Sequence, residues 1–429
     1  MAADVASVRE RVAALRAGLP ALDVAQAARE VVVIASSSRG GSSIFAEVLR
    51  RSRSLLHFRA EVNPQLRLFG CAGDADDSVP ADHPIPAGLG AALGADCGQP
   101  TDRLDGPAAV EAFAAEIAAR LCLQWPELPV VGAQIADDVR AVLAELVTTA
   151  GWAPGHFADA QVFYAHLFAR WRARWPAFHP GAYDFDRRLA ADLGPDTPFV
   201  PGSPVEEPPF VLTLPWHHAT AEELATRPLV VKTPGNVYRL GFLRRLFPNA
   251  RIRVLHLTRN AAASINGLYD GWRFPGFHSH RVEGLRIGGY SDVVPGGDHW
   301  WKFDRPPGWA DWTDASLEEV CAYQWSSAHR AVLADNAADR FQLRFEDVIG
   351  PNARQAEAMG ALSDWLGVPV HDELEHTLTA GLPVVMATEQ PRHRRWFRRI
   401  DMLGPLCATP RVAEMLQALG YPDHPDHWE

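Results

Sequence analysis

The chain has 429 residues, of which 47% are hydrophobic and 22% are charged, a composition typical of globular proteins with about two or three domains. Its net charge of −11 argues against a protein that coats nucleic acid, so a site for a polyanion must be a local basic cluster. The five cysteines are scattered without CxxC or Cys/His spacing, which indicates neither a disulfide framework nor a zinc site. Because we find no signal sequence and no run of about 20 apolar residues, we expect a cytoplasmic protein without a membrane partner.

The first predicted element is an amphipathic helix over residues 3–18. Its apolar positions, Val5, Val8, Val12 and Leu15, recur at the spacing of one helix face. Such a face either packs on the sheet or mediates self-association, and the second alternative leaves a homodimer open.

A buried strand, a small polar loop and a helix come next. Four consecutive β-branched residues at 31–34 predict a strand buried on both faces. The loop at 36–43, named the Ser/Gly loop here, contains Gly40 and Gly41, which let backbone N–H groups approach a ligand closely. Such a loop before a helix N-terminus is typical of phosphate and sulfate sites, although an ordinary strand and turn would show the same pattern. The Walker A sequence is absent, and Arg39 is the only cation in the loop.

The following stretch contains one short strand and a long helical part. Residues 54–58 predict the strand, which runs into a polar turn that contains Glu61. Residues 71–106 are rich in Ala, Gly, Asp and Pro without periodicity, and they predict a loop. Helical periodicity over residues 107–192 predicts a helical insertion.

Strand and helix patterns alternate again in the second half of the chain. Buried strands at 228–231 and 252–257 are followed closely by Lys232 and Arg259. Residues 271–315 are long, aromatic and aperiodic, which favours a lid that binds the acceptor of a reaction.

This alternation predicts an α/β fold around a parallel sheet. Ligands bind such sheets at the carboxyl ends of the strands, where the sequence places the Ser/Gly loop, Glu61, Lys232 and Arg259. An anion cradle, two cations and one carboxylate at one edge indicate the transfer of a phosphoryl or sulfuryl group.

Six segments resemble, in family order, the sulfotransferases that use 3′-phosphoadenosine 5′-phosphosulfate (PAPS), in particular the bacterial kind with an arginine in the loop. They are residues 38–43 (SRGGSS), 230–234 (VVKTP), 247–260 (FPNARIRVLHLTRN), 343–348 (LRFEDV), 365–369 (WLGVP) and 419–421 (LGY). The resemblance covers residues 30–65 and 228–421, whereas residues 70–210 have no counterpart in it. It implies a single sulfotransferase domain over residues 1–429 with a P-loop-NTPase-like three-layer fold.

The resemblance implies that the Ser/Gly loop grips the 5′-phosphosulfate through Ser38, Arg39, Gly40, Gly41, Ser42 and Ser43. Arg39 takes the place of a lysine that many relatives have, and its guanidinium suits oxyanions. Lys232 matches the lysine that stabilises charge on the leaving phosphate, so Arg39 and Lys232 are both predicted to be catalytic.

The resemblance also implies a site for the 3′-phosphate. Arg259 matches the arginine that binds this group, whereas the serine that is usual eight residues later is replaced by Gly267. Ser264, one turn earlier on the same helix face, can substitute for it. In the C-terminal basic run, Arg394 and Arg395 match the loop that closes over the nucleotide, although a solvated charged face would look the same.

Three residues compete for the role of general base. One branch of the family has a histidine after the Lys-Thr pair, but Pro234 stands there. Glu61 matches the glutamate with which another branch takes the hydroxyl proton. His217 and His218 precede the strand of Lys232 and are the alternatives, and each of the three can instead be structural.

The sequence thus predicts the transfer of a sulfuryl group from PAPS to a hydroxyl of a small molecule or natural product. The second product is 3′-phosphoadenosine 5′-phosphate (PAP), and no metal is required. An acceptor with apolar or aromatic bulk is favoured by aromatic residues that otherwise are simply core, namely Trp272, Phe274, Phe277, Trp300, Trp301, Trp309 and Trp312. The alternatives are a P-loop small-molecule kinase that uses ATP and a nucleotide-binding protein without turnover.

Overall fold

The computed structural model describes residues 4–20, 22–72, 75–189, 205–336, 339–350 and 352–422. Over these residues the strands are β1 (Glu30–Ala35), β2 (Leu56–Phe58), β3 (Cys97–Pro100), β4 (Trp216–His218), β5 (Leu229–Lys232), β6 (Arg251–Thr258), β7 (His280–Arg281), β8 (Trp300–Trp301) and β9 (Asp339–Arg344). The helices are α1 (Val5–Leu15), α2 (Val24–Ala27), α3 (Ser42–Leu49), α4 (Asn63–Leu68), α5 (Leu89–Gly94), α6 (Gly106–Gln124), α7 (Gly132–Thr149), α8 (Ala160–Arg174), α9 (Ala221–Thr226), α10 (Leu240–Leu246), α11 (Ala261–Arg273), α12 (Leu317–Ala334), α13 (Phe345–Ile349), α14 (Asn352–Leu366), α15 (Val370–Ala380), α16 (Ile400–Cys407) and α17 (Pro410–Ala418). Within the described part of the chain, no helix combines the length and the apolar character that crossing a bilayer requires.

The chain divides into two compact units. The smaller unit comprises residues 1–24, 58–71 and 86–220, and the larger unit comprises residues 25–57, 72–85 and 221–429.

The larger unit is built on five parallel strands in the order β2-β5-β1-β6-β9. Val33 of the central strand β1 lies beside Val231 of β5 and Val254 of β6. The β-branched residues of β1 are fully buried, because such side chains pack well on both faces of a covered sheet. Since these strands all run in the same direction, their carboxyl ends lie at one edge.

Helices cover both faces of these strands. On one face Val32 of β1 and Leu255 of β6 pack in a cluster with Phe45 of α3. The next residue of β6, His256, points to the other face, where its ring nitrogen lies 2.9 Å from that of His329 on α12. Because successive side chains of a strand point to opposite faces of the sheet, helices pack on both faces, and the larger unit has three layers. A mixed α/β structure with mainly parallel strands confirms the predicted fold class at this level.

The smaller unit is mainly helical. The periodicity over residues 107–192 corresponds to α6, α7 and α8, whose core includes Phe113, Val139 and Phe163. The last three residues of that predicted range, 190–192, lie outside the described residues.

The N-terminal helix and two strands complete the smaller unit. Val8 and Val12 of the predicted apolar face of α1 cluster with Leu123 of α6. This face therefore packs on a helix of the same unit. The strands β3 and β4 pair antiparallel, with Gln99 opposite His217.

The prediction of a loop over residues 71–106 is wrong in part, because α5 and β3 lie there. A Cβ at Gly94 would lie 1.8 Å from the carbonyl oxygen of Leu22, and one at Gly98 would lie 1.9 Å from the carbonyl oxygen of His217. These glycines permit two backbones to approach each other closely. Glycine, which suggested a loop in the sequence, here serves the packing of α5 and β3.

The aromatic segment 271–315 is ordered into short elements. The strands β7 and β8 pair antiparallel, and the rings of Trp272 and Trp301 lie 5.1 Å apart in the core. Phe277 and Trp300 are buried as well. Much of the predicted aromatic wall is therefore core, and the residues of the set that stay half-buried are Phe274, Trp309 and Trp312.

Candidate active site

The Ser/Gly loop joins β1 to α3 at the carboxyl edge of the parallel strands. Arg39 and Gly41 adopt left-handed φ angles of 62° and 95°. A Cβ at Gly40 would lie 2.4 Å from Ser36 Oγ, and one at Gly41 would lie 2.5 Å from the Phe345 ring. Glycine is therefore needed at both positions, where the loop backbone packs tightly on Ser36 and Phe345.

The Ser/Gly loop carries buried hydroxyl groups just before helix α3. Gly41 precedes α3 and offers no side chain to cap the first N–H groups of the helix. Ser36 Oγ and Ser37 Oγ are buried and have no hydrogen-bond partner among the described residues. Because buried polar groups are nearly always satisfied, these hydroxyls are candidate donors to an anion at the helix N-terminus.

Lys232 reaches the loop from the neighbouring strand. It ends β5 beside Ile34 of β1, and its Nζ donates to Ser43 Oγ at 2.9 Å. The parallel register places the amine at the loop, since the two strands end at the same edge.

Arg259 follows β6 on the other side of β1. Its Nη1 donates to the carbonyl oxygen of Arg39 at 3.3 Å, and its guanidinium lies 5.2 Å from the centre of the Phe345 ring. Burial lowers the pKa of Arg259, the Glu346 carboxylate opposes this, and the positive charge of Arg395 adds to the lowering. An anion beside Arg259 would offset the free-energy cost of burying its positive charge and the repulsion from Arg395.

Helix α11 passes close to the Ser/Gly loop. A Cβ at Gly267 would lie 3.2 Å from the Cβ of Arg39, so a serine at this position would press on the loop. Ser264 is fully buried, and its Oγ has no hydrogen-bond partner within the described part of the chain. Glycine at 267 thus permits the close approach of the helix, while Ser264 keeps an unsatisfied hydroxyl one turn earlier.

The C-terminal arginines are held against α11. Asp270 forms ion pairs with three of them, Arg395 at 2.7 Å, Arg398 at 3.0 Å and Arg399 at 2.6 Å. Glu389 also pairs with Arg395 and Arg398, so two carboxylates face three guanidinium groups. Arg394 is exposed, with a left-handed φ of 48°. Of the two predicted arginines, Arg395 is the one whose charge acts on the pKa of Arg259.

The three candidate bases belong to the smaller unit. Glu61 is half-buried in the turn after β2. Burial raises the pKa of Glu206, and the nearby charge of Glu61 adds to the rise. On β4, His217 is exposed and His218 is half-buried. Burial and the charge of Arg59 lower the pKa of His218, so its ring is neutral near pH 7.

A buried ionic network in the smaller unit was not predicted. Arg16 pairs with Asp96 at 2.6 Å and with Glu116 at 2.8 Å, and Arg59 Nε lies 3.5 Å from Glu116. Burial alone would raise the pKa of Asp96, but nearby arginines, Arg16 foremost, outweigh it and lower this pKa to about 2. The network fixes Arg59 two residues before Glu61, and thereby orients the turn that carries Glu61.

A buried carboxylate of the larger unit, Asp304, was also missed. It accepts hydrogen bonds from Ser38 Oγ at 2.6 Å and from Tyr238 OH at 2.7 Å. Ser38 and Asp304 are 266 residues apart in the chain. Nothing in the local sequence pattern distinguishes this aspartate from the others of its segment.

The larger unit therefore gathers groups that suit a phosphate or sulfate. A glycine-containing loop, buried hydroxyls, one amine and two guanidinium groups lie at the carboxyl edge of the strands. Over the ranges that the structure describes, no group of three or more His, Cys, Asp or Glu side chains is arranged to hold a metal ion. The absence of a metal requirement stays a prediction.

Comparisons with known proteins give only distant similarities. No family model and no curated protein matches the chain. Among solved structures, it is similar to the sulfotransferase domain from the curacin biosynthetic pathway, with 11% identity and a TM-score of 0.38 over 92% of this chain and 98% of that one. It is also similar to sulfotransferase STF9 from Mycobacterium avium, with 13% identity and a TM-score of 0.39 over 98% of this chain and 84% of that one. Values this low do not establish a family for the chain.

Proposed function

We propose that the protein is a cytoplasmic sulfotransferase that moves a sulfuryl group from PAPS to a hydroxyl of a small-molecule acceptor. One observation carries this proposal, namely that an anion cradle, a lysine and an arginine meet at one edge of parallel strands. Lys232 Nζ lies 2.9 Å from Ser43 Oγ, and Arg259 Nη1 lies 3.3 Å from the carbonyl oxygen of Arg39. PAPS carries negative charge at both its 5′ and 3′ positions, which cations in this arrangement offset.

The Ser/Gly loop fits the 5′-phosphosulfate end of the donor. Its glycines let the loop backbone pack closely on Ser36 and Phe345, and the buried hydroxyls of Ser36 and Ser37 have no hydrogen-bond partner within the described structure. The loop has no Walker lysine, so its local charge suits a phosphosulfate better than a triphosphate.

Arg39 and Lys232 act on the reacting groups in this proposal. Lys232 stabilises the negative charge that develops on the leaving phosphate. Arg39 Nη1 donates to the carbonyl oxygen of Met386 at 2.8 Å, and its guanidinium lies 5.2 Å from the centre of the Phe277 ring. Arg39 exchanges the neutral carbonyl for the sulfuryl oxygens when the donor binds, because a charged acceptor makes the stronger hydrogen bond.

The 3′-phosphate is assigned to Arg259, with Ser264 as a hydroxyl donor and Gly267 as the point of close approach. Arg395 adds positive charge from the C-terminal segment, and Arg394 is exposed where it can close over the nucleotide.

Glu61 is proposed as the general base. The acceptor oxygen forms a bond to sulfur while the bond from sulfur to the bridging phosphate oxygen breaks, and the hydroxyl proton passes to the Glu61 carboxylate. PAP leaves with the electron pair of the broken bond. His217 and His218 are the competing acceptors of that proton.

The acceptor is proposed to carry apolar or aromatic bulk. The rings of Phe277 and Phe303 lie 5.1 Å apart, and Phe277 also contacts the guanidinium of Arg39. The buried ring of Phe277 therefore flanks the residue that is proposed to hold the sulfuryl group, and Phe303 lies beside that ring.

Melting temperatures with a panel of nucleotides test this function. In EDTA, saturating PAP should raise the melting temperature by a few degrees, since ligand at 100 times its Kd stabilises by about 2.7 kcal/mol. A shift with ATP and Mg²⁺ but none with PAP would indicate the kinase. PAP binding with no sulfuryl transfer to a broad panel of phenols and alcohols would favour the binding protein without turnover.

A further inference from the structure

Asp304 is held in a geometry that a solvated surface carboxylate would not have. It is 5% exposed, and its two oxygens accept separate hydrogen bonds, Oδ1 from Ser38 and Oδ2 from Tyr238. Ser38 belongs to the Ser/Gly loop, whereas Tyr238 ends the 3-10 turn Pro234–Tyr238 that follows Lys232. One carboxylate thus joins the loops that follow two neighbouring strands.

The backbone of Asp304 is itself anchored. Its carbonyl oxygen accepts from Trp301 Nε1 at 2.9 Å and from Gln324 Nε2 at 2.8 Å. Gln324 in turn accepts from Trp272 Nε1 at 2.9 Å. Because Gln324 lies on α12 and Trp272 on α11, the irregular segment that carries Asp304 is tied to two helices.

Backbone strain is concentrated next to this contact. Arg39, directly after Ser38, has a φ of 62°, and Phe303, directly before Asp304, has a φ of 61°. Left-handed non-glycine residues cost free energy and persist where the surroundings hold them, often at functional sites. The hydrogen bond between Ser38 and Asp304 is placed to hold both.

The chemistry of the contact favours a carboxylate over an amide. Each carboxylate oxygen accepts from one hydroxyl, whereas an asparagine in the same place would present one oxygen and an NH₂ group, so that one of the two hydroxyls would have to accept and not donate. An ionised acceptor also makes stronger hydrogen bonds than a neutral one. A negative charge close to an anion site disfavours the binding of an anionic sulfuryl donor such as PAPS, so the presence of Asp304 there needs a compensating role.

We propose that Asp304 is a positioning residue that locks the Ser/Gly loop to the turn after β5, and so fixes Arg39 and Lys232 relative to each other for donor binding. The identity of the donor rests on the proposed function. The positioning role of Asp304 does not depend on that identity, because its hydrogen bonds with Ser38 and Tyr238 are present without a ligand.

Two readouts on a small set of variants test this role. The variants are Asp304→Asn, Ser38→Ala, the double variant and the milder Tyr238→Phe, with the exposed Asp314→Asn of the same segment as the matched control. The first readout is the Kd of PAP, and the second is hydrogen exchange of the loop amides at 36–43 without ligand.

We expect Asp304→Asn and Ser38→Ala each to raise the Kd of PAP by about tenfold and to speed exchange of the loop amides. The double variant should have a Kd for PAP no more than about twofold higher than that of the worse single variant, because both changes break the same contact. Tyr238→Phe should show a smaller effect of the same sign, and Asp314→Asn should match the wild type.

An unchanged PAP affinity with unchanged loop exchange in Asp304→Asn would overturn the proposal. A loss of kcat alone, with both readouts unchanged, would also overturn it, because Asp304 would then act on the reacting groups. If wild-type protein does not bind PAP, the proposed function fails, and loop exchange alone decides whether Asp304 holds the loop.

Discussion

Asp304→Asn should change how the stability of the protein depends on pH. Burial raises the pKa of Asp304 from 3.8 to about 6, the hydrogen bonds from Ser38 and Tyr238 oppose the rise, and the charge of Asp77 adds to it. A pKa difference of about two between the folded and unfolded states corresponds to about 3 kcal/mol.

The contribution of Asp304 to the free energy of unfolding decreases as the pH rises. Because the folded-state pKa of Asp304 is raised, its contribution to the free energy of unfolding is fully present below about pH 4. The contribution is lost as the pH rises to about 6, and it changes little above that. Burial also raises the pKa values of the facing Tyr238 and of Tyr323, so both phenols stay neutral throughout.

Equilibrium urea denaturation between pH 4 and 7 measures this effect. The difference in unfolding free energy, wild type minus Asp304→Asn, should fall by about 2.4 kcal/mol across the range, because an unfolded carboxyl with a pKa of 3.8 is already more than half ionised at pH 4. Asp314→Asn, an exposed change in the same segment, should give a nearly constant difference. If the wild-type and Asp304→Asn profiles ran parallel, the buried carboxyl would not have the raised pKa on which this reasoning depends.

Three further substitutions test the site. Lys232→Ala should lower kcat by about 10²-fold or more with an unchanged melting temperature, and a near-normal kcat would contradict its role. Glu61→Gln should lower kcat by about 10²-fold, whereas an unchanged rate would move the base to the histidines of β4. Gly41→Ala should destabilise by about 2 kcal/mol or more, because its Cβ would lie 2.5 Å from the Phe345 ring. Gly284 has a similar φ of 79°, and no atom of the described residues would lie within 4 Å of its Cβ, so Gly284→Ala should cost only about 1 kcal/mol. Equal losses of unfolding free energy in urea for the two variants would refute the steric explanation.

The parts of the fold that the sequence predicted are those that local patterns encode. The β-branched run of β1 and the strands that end near Lys232 and Arg259 are read from short apolar stretches. The rule that parallel strands share a carboxyl edge then placed Lys232 and Arg259 beside the Ser/Gly loop, as their hydrogen bonds to this loop show.

The parts that were missed depend on contacts between distant residues. Asp304 meets a loop 266 residues earlier, and Arg16 meets Glu116 across 100 residues. Neither contact leaves a periodic or local signal. The short elements within residues 71–106 were hidden for another reason, since Gly94 and Gly98 serve close backbone approach in a composition that is otherwise typical of loops.

The central claim is that the larger unit recognises a nucleotide with both a 5′ and a 3′ anion, and calorimetric titration in EDTA tests it most directly. We expect PAP to bind at least about tenfold more tightly than 5′-AMP, because the proposed function pairs Arg259 with the 3′-phosphate. Arg259→Ala should abolish this preference, while Arg273→Ala, which removes an exposed arginine of the same unit, should retain it. Equal affinities of the wild type for PAP and 5′-AMP, or no binding of PAP, would contradict the account.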